Sequence, residues 1–144
     1  AAVAQGRRLA QWQVRRCAAM PSLLALHVGY GWIVAGFALL ALQASVPNAM
    51  TRAVVIHAWT VGGIGTMALA IMASMIRRHT GHAFTTSHAA TGVFVSIVPC
   101  SVMRFLAELI PDQTTSLAGI AAILWVTAFA LFLAAYSRPL LRPK

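Results

Sequence analysis

Five histidines and one arginine inside an apolar run are the residues of this chain best suited to chemistry. A neutral imidazole is a strong ligand for haem iron and copper, and it titrates near physiological pH. His27 lies in "LLALHVGYG" and His57 in "AVVIHAWTVGG". His79 and His82 share "IRRHTGHAF", and His88 follows shortly after. Arg104 stands in "SVMRFLAEL", with Glu108 one helical turn later, where the two could pair. No P-loop, HExxH or GxSxG is present. Only two acids occur in the chain, which nearly excludes carboxylate acid–base catalysis. His79 and His82 stand three apart without a cysteine or carboxylate beside them, so their spacing alone is not a metal motif.

The elements that must carry these groups are membrane spans. Of the 144 residues 60% are hydrophobic and 9% charged, and the mean hydropathy is +0.79. A bilayer core of about 30 Å needs about 20 apolar residues in a helix. Four runs qualify, at 21–43, 53–76, 87–110 and 116–137. Backbone polar groups in lipid must be satisfied within the element, and runs this long are helices, not barrel strands. The expected architecture is an all-α transmembrane bundle of four spans, forming one domain over 1–144. The absence of an initiator Met suggests the C-terminal part of a longer protein.

The net charge of +9 comes from 11 Lys and Arg against 2 acids. These cations flank apolar runs and do not form a solvated stripe interleaved with aromatics, which argues against nucleic acid as a partner. With four spans, one side collects Arg7, Arg8, Arg15, Arg16, Arg77, Arg78, Arg138, Arg142 and Lys144, while the other keeps Arg52. That bias orients both termini of the chain to the cytoplasm. Cys17 falls in the basic N-terminal segment and Cys100 inside a span, so no disulfide framework is expected.

Depth separates the histidines. His27 falls about 9 Å inside the cytoplasmic face and His57 about 6 Å inside the far face, too distant to share one ion. Arg104 falls at the level of His57. Small residues recur at Ala58, Gly62, Thr66, Ala70 and Ser74, a stripe that admits a neighbouring helix or a flat ligand. Pro99 should kink the third span and free a carbonyl near residue 95. Three readings follow: ligation of haem or copper, with Gly62 and Gly63 giving room and Arg104 meeting an anionic group; a proton or anion route without cofactor; or plain hydrogen bonding between helices.

The run "HAWTVGGIGTMALAIMASMIRRHTGH" resembles the core signature of the NnrS family, haem- and copper-containing bacterial membrane proteins linked to nitric oxide. "LHVGYGWIVAGFALLAL" is similar to the family's preceding helix, and "VMRFLAEL" and "ILWVTAFALFLAAYSRPLLRP" to its last two. The resemblance implies a polytopic protein of the bacterial inner membrane whose remaining helices complete its sites. It carries His27 and His57 over as haem or copper ligands, His79, Thr80 and Gly81 as the signature loop, and Arg104 as the intramembrane arginine. At two positions the chain departs from the pattern. Arg78 replaces a glycine, which removes backbone freedom, and His82 replaces an arginine, which makes a permanent cation switchable. Whether such a protein turns over a substrate does not follow from the resemblance.

Overall fold

The computed structural model describes residues 1–12, 20–46, 50–79 and 88–141, without the side chains of 89, 90 and 138–140. Cys17, Arg15, Arg16, the loop residues Thr80, Gly81 and His82, and Arg142 and Lys144 lie outside the described residues. The described residues are almost wholly helical: α1 Ala2–Gln11, α2 Pro21–Ser45, α3 Arg52–His79, α4 His88–Leu109 and α5 Thr114–Leu141, with a 3-10 turn Pro111–Gln113 before α5. Four stretches, Pro21–Ser45, Arg52–His79, Thr91–Leu109 and Pro111–Ser137, are long and apolar enough to cross a membrane. The four expected spans are therefore present, within a few residues at each end.

Local sequence explains the boundaries. Pro21 opens α2 at the first helical position, where its missing N–H costs nothing. Pro111 opens the turn into α5 in the same way. Thr114 then ties that turn to α4, its hydroxyl donating to the Ala107 carbonyl at 2.9 Å. Pro99 lies inside α4 without ending it. Together with Val95, Pro21, Leu24 and Val28 it lines an apolar groove of about 430 Å³ between α2 and α4.

α3 is the central helix: half of its apolar window is buried, against 17% for α2 and for α5. The core gathers Leu69, Ala70 and Ala73 of α3, Val93, Ile97 and Cys100 of α4, and Ala121, Ala128 and Phe132 of α5. Outward-facing Ile123, Val126, Val95 and Ile64 are mostly exposed, as a lipid-facing surface requires.

Within α3 the eight residues Ala58–Gly65 are π-helical, directly after His57. Such i→i+5 stretches are rare and recur at functional sites. This one contains Gly62, Gly63 and Gly65, and its glycines let α2 come close. A methyl group at Gly62 would stand 2.5 Å from Trp32, and one at Gly63 2.4 Å from Ile33. In return Gly36 of α2 accepts Trp59, whose indole N–H donates to the Ile33 carbonyl at 3.2 Å.

α1 lies antiparallel along α2. A methyl group added at Gly6 would be 3.7 Å from Val34 and one at Gly31 4.0 Å from Leu9, while Trp12 touches His27 and Tyr30. The Tyr30 hydroxyl donates to the Gln5 side chain. This register sets Arg7 and Arg8, both exposed, level with about residues 32 and 33, midway along Pro21–Ser45. Gly6 and Gly31 allow this short amphipathic helix to fold back along α2.

Candidate ligand sites at the two ends of the bundle

His27 sits on α2 between the buried Ala25 and Gly29. Its Nδ1 lies 2.7 Å from the Leu23 carbonyl one turn earlier. A carbonyl only accepts, so Nδ1 carries the hydrogen and Nε2 keeps its lone pair. That Nε2 is buried and has no hydrogen-bond partner among the described residues. The Trp12 indole stands edge-on to the ring at 5.1 Å and also packs against Tyr30. A ring pinned through one nitrogen, with the other buried and bare, is the arrangement found in metal-ligating histidines.

The second site lies at the opposite end. Glu108 Oε1 accepts Arg104 Nη2 at 2.7 Å, the i,i+4 pair that the spacing allows, and also stands 3.3 Å from His57 Nδ1. The histidine contact is short but is not a hydrogen bond. Thr51, just before α3, donates its hydroxyl to Glu108 Oε2 at 3.4 Å. Nδ1 of His57 is buried and has no hydrogen-bond partner among the described residues. Arg104 is only partly spent on Glu108. Its Nη1 is buried without a partner among the described residues, and the residue lines a cavity of about 310 Å³ with Val61, Cys100, Ala121 and Trp125.

Between the two sites α3 is bound to α4 by hydroxyls. Ser101 Oγ lies 3.0 Å from the Ile97 carbonyl, 3.3 Å from that of Val61 and 3.5 Å from Thr66 Oγ1.

The histidines do not converge. Gly36 meets Trp59 and Trp32 meets Gly62, so His57 lies level with about residue 38 of α2, roughly 16 Å along the axis from His27. His79 is exposed at the end of α3, about as far beyond the level of His27 on the other side. Among the described residues no three His, Cys, Asp or Glu side chains gather as a metal site. His57, Arg104 and Glu108 are brought together, and His27 stands alone with Trp12. The room expected beside Gly62 and Gly63 is filled by Trp32 and Ile33, so these two glycines serve helix contact. Three features escape a sequence reading: the Glu108–His57 contact, the π-helical stretch and the Trp12 cover on His27. Only the i+4 spacing of Arg104 and Glu108 hinted at the first.

The family model described as NnrS protein matches residues 1–144, the whole chain. No curated protein and no solved structure matches it.

Proposed function

The chain belongs to the NnrS family, and from that premise we propose that it is a haem-binding membrane protein, with copper as the other metal its donors suit, acting in the response to nitric oxide. Membership supports a nitric-oxide-related membrane protein. The observation that carries the finer reading is the buried, partnerless Nε2 of His27, set by the Nδ1 bond to Leu23. His57, backed by Glu108, is the second ligand, and each takes its own group because of their separation. His79 is a third donor, at the rim of the bundle. Each site needs further ligands beyond these residues.

A bound haem or copper supplies a coordination position for a small ligand such as nitric oxide. The chain's own residues do the rest. Leu23 holds Nδ1 of His27 and so leaves its Nε2 bare, Trp12 covers the His27 ring, and Arg104 and Thr51 hold Glu108 beside His57. The protein lies in the bacterial inner membrane with its Arg77–Arg78 end cytoplasmic. Purified protein expressed with ample haem should show a Soret band that falls in His27→Ala and His57→Ala and persists in His88→Ala. A wild type with neither haem nor copper overturns the reading.

The cluster of Thr51, Glu108, His57 and Arg104 favours a second reading, a proton or anion route without cofactor. Uptake that follows membrane potential in cofactor-free vesicles, and is lost in Glu108→Gln, would establish it in place of the first.

A further inference from the structure

The apolar groove between α2 and α4 opens where two spans begin. Its walls start at Pro21 and Thr91, the first residues of the membrane-crossing stretches Pro21–Ser45 and Thr91–Leu109. From there it runs past Leu24 and Val28 on one side and Val95 and Val98 on the other, for about 10 Å. It encloses about 430 Å³, and among the described residues that line it Thr91 alone has a polar side chain. Val95 is 65% exposed, so one wall is open to the surroundings of the bundle.

Polar donors collect just outside its mouth. α3 runs antiparallel to α2, with Gly36 against Trp59, Trp32 against Gly62 and Gly29 against Met67. On that register Arg78, in the last turn of α3, stands about one turn beyond Pro21. It follows Met67 by about three turns, which puts it on the face of α3 that meets α2. His88 opens α4 about one turn before Thr91 and on the same face. Both are exposed, and neither has a partner among the described residues. α2 starts without a side-chain cap, so its positive end adds to the mouth. The chain offers this end no carboxylate: its two acids, Glu108 and Asp112, lie at the opposite one.

We infer that this groove binds one anionic phospholipid, with an acyl chain between Val28 and Val95 and the phosphate at Arg78 and His88. The inference stands apart from the haem reading. An acyl chain gains by covering the apolar walls, and a phosphate takes charge-assisted bonds from a guanidinium. Basic groups beside a groove between membrane helices recognise anionic head groups in this way. A soluble anion would leave the groove empty, and an apolar helix would leave the cation without a counter-charge.

Native mass spectrometry of the protein released from detergent counts the lipids it retains. The probes are phosphatidylglycerol and phosphatidylcholine with the same acyl chains. Wild type should bind one phosphatidylglycerol about tenfold tighter than phosphatidylcholine, the scale of a charge-assisted bond. In the double variant Arg78→Gln, His88→Gln that preference should vanish with phosphatidylcholine binding unchanged, which also shows that the variant is folded. Val95→Trp fills the groove from its open wall and should lower the binding of both lipids, with thermal unfolding as in wild type. Arg52→Gln, a cation at the opposite end, should keep the wild-type preference. Equal binding of the two lipids by wild type, or a preference that survives in the double variant, overturns the inference. So does lipid binding unchanged in Val95→Trp, and so does a lipid-free dimer, whose groove a second copy covers.

Discussion

Glu108 Oε1 lies 3.3 Å from Nδ1 of His57, across the interface between α3 and α4. The same oxygen holds Arg104 at 2.7 Å, so one carboxylate joins a candidate ligand to an intramembrane cation. Glu108→Gln removes the charge while keeping the shape. It leaves Arg104 uncompensated and should lower stability by about 1–3 kcal/mol, the penalty for stranding a partly buried polar group. Thermal unfolding in detergent measures it. Adding Arg104→Gln should recover part of the loss, giving a coupling of about 0.5–3 kcal/mol in the double-mutant cycle.

The glycines of the α2–α3 contact set a second expectation. A methyl group at Gly36 would fall 2.0 Å from the Trp59 indole. Gly36→Ala therefore forces the ring aside and breaks its bond to Ile33, at a cost of about 1–3 kcal/mol. Gly62→Ala meets Trp32 in the same way, and a smaller residue at 32 should relieve it. Gly119, with no atom within 4 Å of an added methyl, is the control: Gly119→Ala should be neutral or slightly stabilising in the same unfolding assay.

The fold-back of α1 is testable by cross-linking. With both native cysteines replaced, Gly6→Cys and Val34→Cys should form a disulfide on mild oxidation, because the two positions face each other. Gly6→Cys with Leu24→Cys should not. The reverse outcome would overturn the antiparallel packing of α1 on α2.

His27 offers a separation of structure from ligand chemistry. Its ring makes one bond to its own helix, at Leu23, and packs against Trp12. His27→Gln should therefore cost little stability, about 0.6 kcal/mol, comparable to a typical hydrogen bond between membrane helices. The haem or copper content attributed to that site should be lost. Parallel unfolding curves and metal analysis decide it.

The spans were legible because length and hydropathy alone define them, and Pro21 and Pro111 mark two of their starts. The stripe Ala58, Gly62, Thr66, Ala70 was legible as small residues, but not as a bed for Trp32, since what fills a groove depends on the helix opposite. The π-helical stretch was hidden because it uses the same side chains as an α-helix and differs only in backbone pairing. The packing of α1 against α2 was hidden, because basic residues before an apolar run look alike whether the chain continues away from the helix or doubles back along it. At the sites, Arg104 with Glu108 could be read from i+4 spacing, whereas Glu108 with His57 is separated by about fifty residues and arises only from packing.

The wide turns that follow His57 advance less per residue than the roughly 100° of an α-helix. Returning this stretch to α-helical pairing at its present length would therefore rotate the segment before it. The imidazole would swing off its carboxylate like a hand leaving a clock mark, while everything from Thr66 onward stayed where it was. The wide turns are thus the pin that sets the angle of His57 against Glu108.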